Sequence, residues 1–206
     1  MDKRVSTSTS LIAGKPAAAA HRDASDEALI AKVAQRNRLA MQLLFVRHQP
    51  RVYRFLLRML GSAAAAEDLS SEVFLAVWQQ ASRFQGRSSV STWLLAIARN
   101  KALSELRDGR GETSADGKET VIADPAEDPE LAYAAKRRRE ILRNCLSRLS
   151  REHREILDLV YYHDKSVREV AQILGIPCNT VKTRMFYARK KLSQLIRVRG
   201  LVRAEL

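Results

Sequence analysis

Apolar residues recur three and four positions apart over most of the chain, the spacing that places them on one face of an α-helix. The first such segment begins at Ser25, a helix-capping residue followed by two acids, which favour a helix N-terminus. A longer segment covers residues 39–60 and stops at Gly61, a common C-terminal residue of helices. Its apolar positions include Leu43, Leu44, Val46, Val52, Phe55, Leu56, Met59 and Leu60.

Two further helices are predicted before residue 108. The third covers residues 65–84 and opens with an acidic, polar face. A polar loop, residues 85–89, separates it from the fourth helix, residues 91–107. Trp93 has two interpretations, because its spacing to Ile97 suits a core position and its indole would also suit a stacking platform. The other core positions expected there are Leu94, Ala98, Ala102, Leu103 and Leu106.

Residues 108–130 interrupt the helical pattern with three glycines, two prolines and eight acids, which predicts a flexible acidic linker and a domain boundary. The linker has a net charge of −6, whereas residues 25–107 carry +6 and residues 131–206 carry +11. Residues 1–24 are predicted to be a disordered tail. The two basic blocks suit either a polyanionic partner, whose counterions Lys and Arg would release, or a merely solvated surface.

Two helices are predicted at the start of the second basic block, one from near residue 129 to residue 149 and one from residue 150 onward. The most informative stretch of the chain follows them. Ser166 and Glu169 have the spacing of a capping box, and Gly175 marks a tight turn. Ala171, Gly175 and Val181 then supply a small residue for close crossing, the turn, and a β-branched plug between two helices. Asn179 or Thr180 is the expected cap of the second helix, so residues 166–192 predict a helix-turn-helix.

The exposed face of the second helix is basic and aromatic, which suits the major groove of duplex DNA. Arg side chains pair with guanine there, and Thr or aromatic groups contact a thymine methyl. An ordinary amphipathic helical hairpin is the alternative, which the combined spacing disfavours. The side chains predicted on this face are Thr180, Lys182, Thr183, Arg184, Phe186, Tyr187, Arg189, Lys190 and Lys191.

Several other classes of protein are disfavoured by the sequence. Cys145 and Cys178 make no disulfide framework, and Cys145 is expected to be a buried thiol. The four histidines show no metal-ligand spacing with them, so no metal or other cofactor is expected. No run of about 18 apolar residues and no signal peptide occur, which predicts a cytoplasmic protein without membrane insertion. Without a nucleophile–base pair or a phosphate-binding loop, we do not expect an enzyme.

Three stretches together resemble the extracytoplasmic-function (ECF) sigma factors of bacterial RNA polymerase. Residues 66–86, AEDLSSEVFLAVWQQASRFQG, are similar to sigma region 2.2 entering region 2.3. Residues 91–107, STWLLAIARNKALSELR, are similar to the helix of region 2.4. Residues 147–192 resemble region 4, and the similarity extends over about residues 26–200. The resemblance implies a sigma factor that binds core RNA polymerase and directs promoter-specific initiation of transcription.

The resemblance also implies an all-α fold of two small helical domains joined by the linker. Residues 25–107 would form the region 2 helical bundle, which binds core polymerase and the minus-10 element. Residues 131–206 would form the region 4 helix-turn-helix, which reads the minus-35 element. The acidic linker, residues 108–130, would run toward basic channels of the polymerase.

Site residues implied by the resemblance fall into three groups. Polymerase binding is assigned to Asp68, Glu72 and Gln79. The minus-10 group combines base and backbone contacts: Arg87, Ser88, Ser89, Ser91, Thr92, Trp93, Arg99, Asn100 and Lys101. The minus-35 group is Thr180, Lys182, Thr183, Arg184, Phe186, Tyr187 and Arg189.

The resemblance further implies regulation by an anti-sigma factor. Two alternative functions remain: a sigma-like binding module that sequesters an anti-sigma factor, and a conventional helix-turn-helix regulator with a ligand-sensing N-terminal domain. The intact basic face argues against the first, which would not need one. The similarity of residues 66–86 and 91–107 to region 2 argues against the second.

Overall fold

The computed structural model describes residues 24–109 and 129–198, and these are helical apart from the connections between helices. The predicted tail, except for residue 24, and the centre of the predicted linker lie outside the described residues. A 3-10 turn, Ala81–Arg83, follows the third helix. The α-helices are α1 (Asp26–Ala34), α2 (Arg38–Leu60), α3 (Ala63–Gln80), α4 (Val90–Arg107), α5 (Pro129–Ser147), α6 (Arg151–Tyr161), α7 (Val167–Leu174) and α8 (Cys178–Val198).

The first helical unit, α1–α4, is built around α2, which contacts α1, α3 and α4. The predicted apolar stripe of α2 is largely confirmed, since Leu44, Phe55, Leu56 and Leu60 are buried. Val46 was assigned wrongly to this stripe, because its side chain is 73% exposed. The all-α fold class predicted from the sequence is confirmed over the described residues.

The ends of the first four helices follow from local capping. Ser25 caps α1 by accepting a hydrogen bond from the Ala28 amide, and Gly61 ends α2 in the left-handed region at φ 76°. The third helix stops at residue 80, earlier than predicted, because the chain tightens into the 3-10 turn. The fourth begins before Ser91, because the Ser89 side chain accepts a hydrogen bond from the Thr92 amide and caps it.

The second unit, α5–α8, buries the Cys145 thiol as expected, and that thiol is free. A small apolar cluster of Leu149, Leu157 and Ala188 joins α6 to α8. The crossing of α7 and α8 completes the unit. Within the described residues, no helix has both the length and the apolar composition needed to cross a bilayer.

The two units are packed together. Their buried apolar residues belong to one continuous cluster, in which Leu94 and Leu95 of α4 and Val170 and Leu174 of α7 all take part. The contact of α4 with α7 is as extensive as its contact with α3. Leu95 was not among the predicted core positions, and it is buried because α4 is covered on several sides, by α2, α3 and α7.

Asp26, at the start of α1, fixes the N-terminus of the first unit on α2. Its carboxylate accepts a hydrogen bond from Arg47 at 2.6 Å and lies 2.7 Å from His48 Nε2. Burial lowers the pKa of His48 below its ordinary value of 6.5, and the nearby Arg47 and Arg51 act in the same direction. Asp26 acts in the opposite direction, but the loss of hydration prevails.

The lowered pKa of His48 predicts that the folded chain loses stability as the pH falls. Below about pH 6.5 an unfolded chain binds a proton at this histidine more readily than the folded chain does. The free energy of unfolding should therefore fall between pH 7 and pH 5, and urea denaturation across that range measures it. A His48→Asn variant should show a smaller fall, and an equal fall in both proteins would contradict the assignment.

Candidate nucleic-acid interface

The helix-turn-helix predicted from residues 166–192 is present in α7 and α8. The Ser166 side chain accepts from the Glu169 amide at 3.3 Å, and the Glu169 carboxylate accepts from the Ser166 amide at 3.1 Å. This reciprocal pair is the predicted capping box. Gly175 ends α7 with φ 66°, and Val181 is fully buried. The spacing of Ala171, Gly175 and Val181 therefore predicted the turn correctly.

The start of α8 differs from the prediction. The helix begins at Cys178, so Asn179 and Thr180 lie within its first turn and neither is the cap. The Pro177 carbonyl instead accepts a hydrogen bond from the Val181 amide at 3.1 Å. Proline lacks an amide hydrogen, which suits a position where the chain enters a helix and the amide has no partner.

The outer face of α8 projects into solvent. Phe186 and Tyr187 are 62% and 53% exposed, and their rings meet edge to face at 5.4 Å between centroids. Arg189 lies 5.6 Å from the centre of the Tyr161 ring, within range of a cation–π contact. Lys182 and Thr183 are exposed as well, whereas Thr180 is half-buried. Most of the side chains on this face are therefore open to solvent.

Arg184 is the one predicted minus-35 residue that a carboxylate contacts in the described structure. Its side chain is 31% exposed and lies 3.4 Å from Glu152 at the start of α6. Exposed ion pairs of this kind are weak, so the contact with Glu152 stabilises this position of the guanidinium only slightly.

An open basic groove beside α8 was missed by the sequence analysis. Arg148 and His153, near the start of α6, line it together with Tyr187, Lys190 and Lys191 of α8. Lys190 and Lys191 were assigned to the outer face of α8, but nothing in the local pattern placed Arg148 and His153 near them. The Ser150 cap was a sequence feature that could have indicated this groove, because helix N-termini commonly bind phosphate.

The predicted minus-10 residues lie in the loop before α4 and along that helix. Arg87, Ser89 and Asn100 are exposed, and Ser88 and Ser91 are half-buried. Trp93 is half-buried, with its ring centre 5.3 Å from that of Phe84, so it packs at the edge of the core. Its role as a stacking platform stays a prediction.

Other members of this group are held by carboxylates. Thr92 is 1% exposed, and its hydroxyl donates to Glu169 at 2.7 Å. Arg99 donates to Glu155 at 2.5 Å, and Lys101 donates to Glu72 at 2.8 Å. Thr92 and Arg99 are thus engaged by the second unit in this arrangement, while Lys101 is paired within the first.

Glu169 is ionised in this network. Partial burial raises its pKa, but hydrogen bonds from Thr92 and Ser166 and the charge of Lys165 outweigh burial and lower the pKa to about 2. The carboxylate therefore carries its negative charge throughout the neutral range. It serves two purposes at once, closing the capping box of α7 and accepting from α4.

The residues assigned to polymerase binding share one exposed face of α3. Asp68, Glu72 and Gln79 are all exposed and lie at helical spacing. Leu75, 57% exposed, lies between them on the same face and was not picked out from the sequence. An acidic face with an apolar centre suits a protein partner better than it suits nucleic acid.

Comparison with known proteins agrees with this geometry. Residues 44–112 match the family described as Sigma-70 region 2, and residues 139–192 match Sigma-70, region 4. The chain is 31% identical over 162 residues to the ECF RNA polymerase sigma factor RpoE of Cereibacter sphaeroides, covering 77% of this chain and 87% of that protein. It is 30% identical over 164 residues to the ECF sigma factor SigL of Mycobacterium tuberculosis, covering 79% of this chain and 92% of that protein.

Two solved structures share the fold. One is CnrH in complex with the cytosolic domain of CnrY, with a TM-score of 0.63, 23% identity, and coverage of 84% of this chain and 97% of that chain. The other is the sigma factor RpoE of Bartonella quintana in complex with the anti-sigma factor NepR, with a TM-score of 0.56, 23% identity, and coverage of 75% and 94%.

A helical bundle with an exposed acidic face on α3, joined to a basic helix-turn-helix, is the architecture of a DNA-binding transcription initiation factor. The chain belongs to the ECF sigma factors of RNA polymerase, as its resemblance to that family predicted.

The turn of the helix-turn-helix gives a direct test of the α7–α8 geometry. Gly175→Ala should cost about 1–2 kcal/mol of stability, the penalty for an L-residue in the left-handed region. The cost comes from the backbone alone, because a Cβ at this position meets nothing within 4 Å. Gly175→Asn should cost less, because Asn tolerates this conformation. Urea denaturation measures both, and equal losses in the two variants would contradict the explanation.

Proposed function

We propose that this sigma factor directs promoter-specific initiation through two DNA-reading surfaces, one on each helical unit, and an acidic docking face on α3. The observation that carries the proposal is the exposed, basic outer face of α8, set on a completed helix-turn-helix. We assign residues 25–107 to core polymerase and minus-10 binding and residues 131–206 to minus-35 binding. Residues 108–130 connect them.

The minus-35 surface comprises the outer face of α8 and the basic groove beside it. Lys182, Thr183 and Arg184 lie near the N-terminal end of α8, the part that reaches base edges in helix-turn-helix proteins. Phe186 and Tyr187 supply apolar contacts to thymine methyls. We assign Arg148 and Lys191, which line the groove, to contacts with backbone phosphate. Thr180 and Arg189 flank this surface.

The minus-10 surface comprises the loop at residues 84–89 and the first turns of α4. We assign Arg87 and Ser89, which are exposed, to contacts with an unstacked base, whose extrusion from a duplex costs a few kcal/mol. Arg99, Asn100 and Lys101 lie further along α4 and would hold the DNA backbone. The binding energy of these contacts contributes to opening the promoter, and we assign no chemical step to the chain itself.

An anti-sigma factor is the proposed regulator. The sigma factor RpoE of Bartonella quintana has been solved in complex with the anti-sigma factor NepR, and its fold is shared by this chain. The exposed face of α3, with Leu75 at its centre, offers such a protein a docking site that overlaps the one proposed for polymerase. We place the protein in the cytoplasm, where polymerase and promoter are found.

The proposed function predicts that the purified chain, added to its native core polymerase, yields promoter-specific transcripts in vitro. Replacing Asp68 and Glu72 together by Ala should weaken binding to core polymerase and reduce these transcripts, because the acidic docking face is lost. Pull-down and transcription assays measure both effects, and circular dichroism checks the fold. The matched control replaces Glu27 and Asp108 by Ala, two exposed acids that lie outside α3. Equal losses in the two double variants would refute the docking face, and absence of specific transcripts from the wild type would favour a sequestering module.

Recognition of the minus-35 element by α8 predicts a second outcome. Arg184→Ala should cost about 1–3 kcal/mol of discrimination if the guanidinium pairs with a base, and footprinting on matched and mutated promoters measures this. Arg197→Ala, the control, removes the same charge from an exposed site in the last turn of α8. Unchanged discrimination for Arg184→Ala would refute its base contact, since the control already accounts for the general loss of charge.

A further inference from the structure

The interface between the two units covers part of the proposed minus-10 surface. α7 lies on α4, and Ser89, Ser91 and Thr92 at the start of α4 make hydrogen bonds to residues of the second unit. The apolar cluster continues across this boundary, so closing the two units removes apolar surface of both from water. The contact is therefore a defined interface with both an apolar and a polar component.

The polar contacts at the start of α4 converge on one carboxylate. Thr92 and Ser89 both donate to Glu169 Oε1, at 2.7 and 3.1 Å. Beside them, Lys165 donates to the Ser91 hydroxyl at 2.6 Å and lies 3.3 Å from Glu169. Thr92 and Lys165 are both buried, so this network is largely closed to water. Hydrogen bonds to a charged acceptor are stronger than those between neutral groups.

Two ion pairs join the units farther along the interface. Arg58 of α2 lies 2.6 Å from Asp158, and Arg99 of α4 lies 2.5 Å from Glu155. The side chains of Asp158 and Glu155 are each only 8% exposed. Burial strengthens the attraction between the two charges but also removes their hydration, so the loss of one partner is costly because it leaves the other charge buried without compensation.

The distribution of acids in the second unit is uneven. Residues 131–206 contain 18 basic residues and only seven acids. Three of these acids, Glu155, Asp158 and Glu169, contact the first unit. Carboxylates accept hydrogen bonds from arginine and hydroxyl groups as phosphates do. Two of these three acids, Glu155 and Glu169, meet donors that the proposed function assigns to minus-10 DNA, namely Arg99, Ser89 and Thr92.

We propose that the free chain is self-inhibited, with Glu155 and Glu169 occupying the minus-10 donors Arg99, Ser89 and Thr92 in place of DNA phosphates. This inference rests on the minus-10 assignment in the proposed function. Asp158 reinforces the closed form through Arg58. Promoter DNA and α7 compete for one face of α4, so the closed fraction of the chain lowers its apparent affinity for minus-10 DNA. The outer face of α8 stays accessible in both forms.

The closed form is tested by single-molecule energy transfer in the full chain. One dye is attached to exposed Cys178 and the other at position 82 in a Ser82→Cys variant, while the Cys145 thiol is buried. We expect one dominant short-distance population. Adding Glu155→Gln and Glu169→Gln should raise the ratio of open to closed molecules roughly ten-fold, because two charged contacts are lost. Gln at position 169 retains the capping box, so α7 stays folded.

A second arm measures binding of an unlabelled chain to a fluorescent, random-sequence single-stranded DNA pool. The Glu155→Gln, Glu169→Gln variant should bind more tightly than the wild type, and adding Arg99→Ala should abolish the gain. The matched control, Glu140→Gln with Asp164→Asn, makes the same change in charge at exposed sites. It should bind the pool less tightly than the opened variant does and keep the short distance.

Three sets of results would overturn parts of this proposal. A wild-type chain with a long or broad distance distribution overturns the closed form, as does an opened variant that keeps the short distance. A variant that opens but gains no more affinity for DNA than the control overturns self-inhibition. A gain that survives Arg99→Ala overturns the role of Arg99 and, with it, that part of the minus-10 assignment, while the distance result stands independently.

Discussion

The arrangement of the described residues depends on α7, a helix of only eight residues. A helix this short is not stable in water by itself, because nucleation costs more than so few hydrogen bonds return. The capping box of Ser166 and Glu169 satisfies its first amides, and the burial of Val170, Ile173 and Leu174 holds it in place. It contacts α8 and α4 at once, so it contributes both to the angle of α8 and, with Glu155 and Asp158 of α6, to the contact between the units.

Electrostatics divides the second unit into two faces with different roles. The outer face of α8 carries cations and aromatic rings in solvent, where they can meet duplex DNA. The face toward the first unit carries Glu155, Asp158 and Glu169, each within contact distance of a donor on α2 or α4. In this arrangement the proposed minus-35 surface is not covered by the first unit, whereas the proposed minus-10 surface is partly covered by the second. A basic net charge alone would not have indicated such a division.

The parts of the structure that local interactions determine could be predicted from the sequence. The Ser25 cap, the capping box and the Gly175 turn each depend on residues within a few positions of one another. Arg58 and Asp158, by contrast, are 100 residues apart in sequence, and Thr92 and Glu169 are 77 apart. Contacts at such separations depend on how the units pack, which helical periodicity does not encode.

In the candidate site too, the features set by local sequence could be predicted and those set by packing between helices could not. The exposed face of α8 was predicted because an amphipathic helix determines its own outer side. The groove at Arg148 and His153 was not, because it forms only where α6 meets α8. The burial of Val46 and Leu95 was predicted wrongly for the same reason. Both lie on helices that contact several neighbours, and these neighbours determine which sides of each helix are covered.

A structure of the full chain bound to core polymerase and promoter DNA would test the central claim most directly. The account predicts that α7 has left α4, that Thr92 and Arg99 face minus-10 DNA, and that α8 lies in the major groove of the minus-35 element. A complex in which both DNA elements are bound while Glu169 still accepts from Thr92 would contradict it.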